Sequence, residues 1–133
     1  MTTKNPMPER TFSARVPAAV RPTVDAARRM VKQVAPRAQE TPYRGSRPRS
    51  ARAMWKLVRY AIDGENVVGI GTHPTYATLF FYRGRELDDG GGSLAGTGSQ
   101  MRFVRMREPA DAWRPALKRI VRKAAALARS AAG

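Results

Sequence analysis

The chain has no cysteine and a single histidine, His73. Without thiols the sequence excludes disulfide bonds, a cysteine nucleophile and sulfur-ligated metal sites. A lone imidazole cannot form a multi-histidine metal centre, and no nucleophile-elbow signature accompanies it. We therefore expect no enzymatic activity and no bound cofactor.

Long apolar runs are also missing, and the N-terminus lacks the apolar central region of a secretory signal. The sequence therefore predicts no transmembrane helix, no membrane partner and a cytoplasmic location. Its 133 residues, of which 42% are hydrophobic, suffice for one modest core.

Acidic residues are scarce: 10 stand against 25 basic ones, for a net charge of +15. A field of this sign attracts polyanions and promotes at least non-specific binding to nucleic acid. Twenty of the basic residues are arginine. Since arginine accumulates in proteins of GC-rich genomes for codon reasons, the charge also has a compositional explanation.

The apolar patterns predict a flexible basic tail over 1–19 and a single α+β domain over 20–130. We expect four or more mostly antiparallel strands flanked by an N-terminal and a C-terminal helix, with segment 35–54 as a loop. The patterns place helices at about 23–35 and 112–129, the second entered through Asp111, and strands at 55–62, 67–73, 76–83 and 101–107.

An ordered series of motifs covers about residues 20–129. An early helix ends in VAPRAQE and is followed by TPYRG, an apolar hairpin, LFFYRGRELDD, SLAGTGSQMRFVRM, EPAD and an amphipathic helix. This order resembles the YdhG-like domains of unknown function, small bacterial proteins with a frataxin-like sandwich fold. The resemblance implies that fold and, from one branch of the family, a role in carrying iron.

The chain departs from the family pattern at the glycine turn. Where the family commonly has a Lys and then, after an Arg, a His, this chain has Ser99-Gln100 and Phe103 and keeps Arg102. The resemblance therefore does not carry over any activity that depends on that Lys or His.

Glu86, Asp88 and Asp89 form the only acidic cluster of the sequence. Their carboxylates are the ligands of an iron carrier in the frataxin-like alternative, because hard cations prefer oxygen ligands. A solvated turn is the other interpretation. Frataxin-shaped iron chaperones also need an acidic surface, which this basic chain lacks.

The glycine turn Gly96-Thr97-Gly98 could present backbone N–H groups to an anion beside Arg102. It lacks the spacing and the Lys-Ser/Thr ending of a phosphate-binding loop, and a strand follows it instead of a helix. The alternative is a structural connection that positions Arg102.

The C-terminal helix has an apolar stripe on one face and basic residues, without acidic ones, on the opposite face. Like charges four residues apart on this face repel each other by roughly 0.2–0.5 kcal/mol per pair, and an anionic partner would relieve that repulsion. The candidate anion-binding residues are Arg102, Arg114, Lys118, Arg119, Arg122 and Lys123.

These signals favour a non-enzymatic binding or carrier module with an anion-facing surface formed by the C-terminal helix and segment 44–52. Its partner would be nucleic acid or an acidic protein. The iron carrier is one alternative, and a small-ligand domain with a pocket walled by Trp55, Phe81, Met106 and Trp113 is another. The strand aromatics could stack on single-stranded bases, although core packing explains them as well: Tyr60, Tyr76, Phe80 and Tyr82.

Overall fold

The chain is an α+β protein with one antiparallel sheet. The computed structural model describes residues 16–44, 47–87, 92 and 94–132, without the side chains of 129–132. The helices are α1 (Arg21–Val34), α2 (Gly84–Leu87), α3 (Pro109–Ala112) and α4 (Pro115–Ala132). The strands are β1 (Gln39–Pro42), β2 (Trp55–Ile62), β3 (Glu65–Thr72), β4 (Ala77–Phe81) and β5 (Arg102–Met106).

The sheet is a five-stranded meander in which each strand pairs antiparallel with the next along the chain. The predicted antiparallel α+β sheet is confirmed. The turn between β2 and β3 places Asp63 and Gly64 at φ values of 50° and 82°. Two residues at positive φ suit a tight hairpin, because their backbone twist matches that of the flanking strands.

The expectation of an unbroken loop over 35–54 is wrong, because β1 lies within it. This edge strand has only four residues, QETP, and no alternation of apolar and polar side chains. Its regular structure comes from pairing with β2, for example Glu40 opposite Tyr60. An edge position also accommodates Pro42, which has no N–H to donate.

α1 begins two residues earlier than predicted, with Pro22 in its first turn, where the missing N–H costs little. Its valine stripe, exemplified by Val24 and Val31, is fully buried against the sheet. Val16 is buried in the same core, although the sequence assigned it to the tail. Residues 1–15 of that tail lie outside the described residues.

The C-terminal helix predicted from 112 is wrong at its start. The chain forms the short α3 and then, after Trp113 and Arg114, begins α4 at Pro115. Proline is suited to the first position of a helix and not to its interior. Asp111 caps α3 rather than α4, since its Oδ2 accepts hydrogen bonds from the N–H groups of Arg107 (2.8 Å) and Glu108 (3.3 Å).

The core lies between the helices and one face of the sheet. Strand register places Val58, Ile70 and Leu79 side by side on this helix-covered face, and all three are buried. Phe81 and Met106 also pack there with no exposed surface, so they fill the core and do not wall a pocket.

A buried ion pair attaches β1 to α1. Arg28 donates to both carboxylate oxygens of Glu40, at 3.0 and 2.9 Å, and Tyr60 donates a third hydrogen bond to that carboxylate. Burial by itself would raise the pKa of Glu40, but the hydrogen bonds from Arg28 and Tyr60 and the charges of Arg28 and Lys32 outweigh it. The pKa of Glu40 therefore lies below its ordinary value. This network places Tyr60 in the core, away from any stacking surface.

Candidate nucleic-acid interface

The sheet has a second face, opposite the helices, which we call the open face. Because side chains alternate along a strand, residues one position from the core set share this face. The register places on it Thr41 from β1, Arg59 from β2, Gly69 and Gly71 from β3, Thr78 and Phe80 from β4, and Phe103 and Arg105 from β5.

Two glycines of β3 shape the centre of the open face. A Cβ atom at Gly69 would lie 2.2 Å from the ring of Phe80, and one at Gly71 would lie 2.6 Å from Cγ of Met54. The side chains of neighbouring segments therefore lie directly on the backbone of β3, a close approach that only glycine permits. This is how Phe80 becomes fully buried on the face opposite the described helices.

Aromatic rings and cations alternate over this centre. Tyr43 reaches it because its N–H donates to the carbonyl of Leu57 at 2.9 Å, which continues the β1 pairing by one residue. Lys56 Nζ lies 5.7 Å from the Tyr43 ring and 5.6 Å from the Phe80 ring, and the Arg59 guanidinium lies 5.3 Å from Tyr43. Each contact falls within the range of a cation–π interaction.

Tyr82 completes this aromatic cluster. Its ring meets Phe80 edge to face with centroids 5.6 Å apart, and its hydroxyl is hydrogen-bonded to that of Tyr43. Burial, and after it the hydrogen bond with Tyr43, raises the pKa of Tyr82 well above its ordinary value. The phenol therefore stays neutral and adds no negative charge to the face.

A second cluster lies at the other end of the open face, around Tyr76. The guanidinium groups of Arg105 and Arg107 lie 5.3 and 5.5 Å from its ring. The His73 ring stacks on it with centroids 4.6 Å apart and an angle of 16° between planes. Nε2 of His73 lies 3.1 Å from the carbonyl oxygen of Arg52, which places a fourth basic residue beside this cluster.

Carboxylates are absent from the strand residues that share the open face. In the described part of the chain, Glu40 is held in the core pair, and Glu65 and Glu86 bind Arg83 at 3.1 and 2.7 Å. Asp111 caps α3 and pairs with Arg114 at 2.6 Å. No strand neighbour on the open face therefore neutralises its cations, and their potentials add.

A groove of about 390 Å³ lies beside the Tyr76 cluster on the open face. Its lining includes Arg52, His73, Tyr76, Thr78, Phe103 and Arg105. Thr78 is only 3% exposed. Its Oγ1 and Nδ1 of His73 are buried without a hydrogen-bond partner among the described residues.

The glycine turn lies next to this groove and is closed by its own hydrogen bonds. Ala95 and Phe103 exchange two backbone hydrogen bonds of 2.8 Å, and Arg102 Nη1 donates to the carbonyls of Gly98 (2.7 Å) and Met101 (2.9 Å). Gly96 adopts a φ of 122°, which requires glycine. Of the two interpretations of this turn, the geometry favours a structural connection that positions Arg102, and it does not favour an anion-binding turn. Thr97 in this turn is exposed.

The six candidate anion-binding residues do not converge. Arg119, Arg122 and Lys123 lie exposed on α4, on the helix side of the sheet and away from the open face. Arg114 precedes α4 and pairs with Asp111, and Lys118 lies 5.3 Å from the ring of Trp113. The outer face of α4 is therefore a separate basic region with three exposed cations.

The other two candidate sites have weaker geometric support. Glu86 is bound to Arg83, its predicted partners Asp88 and Asp89 lie outside the described residues, and the described part holds no cluster of three metal-ligating side chains. Of the predicted pocket residues, Trp55 lines a cavity of about 230 Å³ together with residues of segment 47–53.

Sequence reasoning missed the open face and with it the roles of Lys56, Arg59 and Arg105. A signal was present in VVGIGT, where glycines alternate in an otherwise apolar strand. Alternating glycines put both gaps on the same side of the sheet, which indicates that other side chains approach the backbone there.

Comparisons with protein-family models, curated proteins and solved structures find no match to this chain. Within the described ranges no helix combines the length and apolarity needed to cross a membrane. The function therefore has to be inferred from the geometry of the open face and the charge of the chain.

Proposed function

We propose that this protein is a binding module for nucleic acid and that the open face of its sheet is the contact surface. The main support for this proposal is that cations and aromatic rings alternate on one face of the sheet, whose strand residues include no carboxylate. Cations supply most of the affinity for phosphates. Aromatic rings offer stacking surfaces to bases.

The rings favour nucleic acid over an acidic protein as the partner. An acidic protein would need the cations alone, whereas the open face also places Tyr43, Tyr76 and Phe103 half-buried between them. Sheets that bind RNA use exposed aromatic side chains and flanking basic groups in this arrangement. The outer face of α4 remains a second predicted anion-binding region.

The YdhG-like and frataxin-like resemblance remains part of this proposal at the level of family. The five-stranded sheet with helices on one face is compatible with such a sandwich. An iron-carrying role through Glu86, Asp88 and Asp89 stays a prediction. Calorimetry with ferrous iron would test it: heat that disappears on triple alanine substitution supports the role, and no heat contradicts it.

The proposed function is tested by a salt titration of binding to DNA oligonucleotides, single-stranded and duplex. We expect binding at low salt and a linear fall of log affinity against log salt, with a slope of about −0.7 to −0.9 per phosphate neutralised. No binding at low salt, or a slope near zero, would overturn the proposal.

Two triple variants locate the contact. Lys56→Gln/Arg59→Gln/Arg105→Gln changes the open face, and Arg119→Gln/Arg122→Gln/Lys123→Gln changes the outer face of α4. Each lowers the net charge from +15 by three, to +12, so non-specific attraction falls equally. We expect the open-face variant to bind about tenfold or more weakly than wild type. The slope of its log affinity against log salt should also be shallower than that of the α4 variant. Equal losses in both variants, or a larger loss in the α4 variant, would contradict the open face as the contact surface.

A further inference from the structure

We propose that the groove lined by Thr78, which we call the Thr78 groove, holds one unstacked base of a single-stranded nucleic acid. The inference rests on the proposed function and narrows its ligand from nucleic acid in general to single strands. It follows from the shape of the groove, from two buried polar atoms and from the groups around them.

The shape of the Thr78 groove results from strand register. Thr78 on β4 lies opposite Gly71 on one side and Arg105 on the other. Because Gly71 has no side chain, the Met54 side chain lies directly over the backbone of β3 at this point and forms part of the groove lining. Phe103, beside the glycine turn, forms part of the lining. At about 390 Å³ the groove falls within the size range of small-ligand sites.

Two buried polar atoms give this groove a chemical preference. Oγ1 of Thr78 can donate and accept, and no described group of the protein satisfies it. When Nε2 of His73 carries the proton and donates to the carbonyl of Arg52, Nδ1 is left as an acceptor. Leaving such buried groups unpaired is unfavourable, because they have lost their hydrogen bonds to water. A ligand edge that carries both donors and acceptors would regain this energy.

The surroundings distinguish a base from a simple anion. Phe103 is half-buried and offers a ring for stacking, and the planar guanidinium of Arg105 is exposed next to it. Bases splayed out of a single strand stack on aromatic rings and on guanidinium planes while their edges are hydrogen-bonded. Arg52 lines the groove and Arg107 lies 5.5 Å from the ring of Tyr76, so both add positive charge near the phosphates of such a strand.

Duplex DNA does not fit this arrangement. Its bases are stacked and paired, and one of them would have to be extruded from the helix to reach a buried threonine, which is unfavourable. We therefore expect single strands to bind more tightly than duplexes of the same charge.

The test compares a single-stranded ten-nucleotide DNA with an abasic strand of the same length, which keeps the phosphates but lacks the bases. Wild-type protein should prefer the strand with bases by about fivefold to 100-fold, since one stacked base contributes about 1–3 kcal/mol. Equal affinities with a normal salt slope would overturn the Thr78 groove and leave the proposed function standing. Absence of binding to both strands would overturn the Thr78 groove, and absence of binding to duplex DNA as well would overturn the proposed function.

Two variants connect this preference to the groove. Thr78→Val keeps the side-chain shape and removes the unpartnered hydroxyl, so it should leave the fold as stable as before, and Phe103→Leu removes the ring. Each should reduce the preference for bases at least threefold. Thr41→Val is the matched control on the same face at the opposite edge of the sheet and should preserve the preference. An unchanged preference in both groove variants, or an equal loss in the control, would contradict the proposal.

Discussion

The two faces of the sheet treat charge in opposite ways, although they are built from alternate residues of the same strands. On the helix-covered face Arg28 is 3% exposed and bound bidentately to Glu40. On the open face Arg59 and Arg105 lie over aromatic rings with no carboxylate among the neighbouring strand residues. On the helix-covered face, the ion pair joins α1 to the sheet. On the open face, the cations remain accessible to solvent and to a ligand.

This difference shows why net charge alone is a poor guide to a binding surface. The six charges of the α1–β1 network and the Arg83 cluster balance one another within the protein, namely Arg28, Lys32, Glu40, Glu65, Arg83 and Glu86. The cations of the open face and those of the outer face of α4 take no part in these ion pairs.

The largest effect is expected from Glu40→Ala. It leaves Arg28 buried without its carboxylate, and removing one partner of a buried ion pair costs about 3–5 kcal/mol. Urea unfolding should show this loss in the free energy of unfolding. Lys32→Ala is the control, because Lys32 approaches the same carboxylate at 3.5 Å but is 46% exposed. It should change stability by less than about 1 kcal/mol. Similar losses in both variants would contradict the assignment.

Acidification should remove the part of that stabilisation that depends on the charge of Glu40. Its pKa is lowered in the folded state, so the contribution is fully present above the unfolded pKa of about 4.3. It is lost as pH falls through the lower folded pKa. The difference in unfolding free energy between wild type and Glu40→Gln should therefore shrink below about pH 4. A difference that stays constant down to pH 2 would argue against this network.

Gly69→Val should damage the open face from within the sheet. The new Cβ would lie 2.2 Å from the Phe80 ring, so Phe80 must move, at about 1–3 kcal/mol for an overpacked site. We also expect weaker binding to single strands, because the ring supports Tyr43 and Lys56. Gly98→Ala is the control, since a Cβ there meets nothing within 4 Å. If Gly69→Val is as stable as wild type, the close approach of the Phe80 ring to Gly69 is contradicted.

The smallest effect compares one substitution in the two basic regions. Arg119→Glu removes repulsion from Lys123 and creates an attractive pair four residues apart, so it should stabilise α4 by about 0.2–0.5 kcal/mol. Arg59→Glu loses its cation–π contact with Tyr43 and should destabilise by about 0.5–1 kcal/mol. Thermal unfolding of both variants at low salt measures the change in stability. A change of the same sign in both variants would contradict the difference between the two basic regions.

Local patterns predicted much of the fold. The 3.6-residue period of α1 and the alternation in β2 are visible in the sequence because each follows from burying one side of a regular element. β1 was missed because QETP has no such pattern, and its strand conformation depends on hydrogen bonds to β2, which begins thirteen residues beyond Pro42. The start of α4 was misplaced because a proline near a helix start is compatible with more than one boundary.

The positive charge, the lack of thiol side chains and the order of most helices and strands can be read from the sequence alone. These properties depend on composition and on short-range periodicity. Only the tertiary structure decided that Tyr43, Lys56, Arg59, Phe103 and Arg105 share one face, and that the six predicted anion-binding residues do not. Strand register determines which distant residues become neighbours, and it is set by pairing across the whole sheet. A binding surface made of such neighbours therefore becomes visible only when the chain is folded.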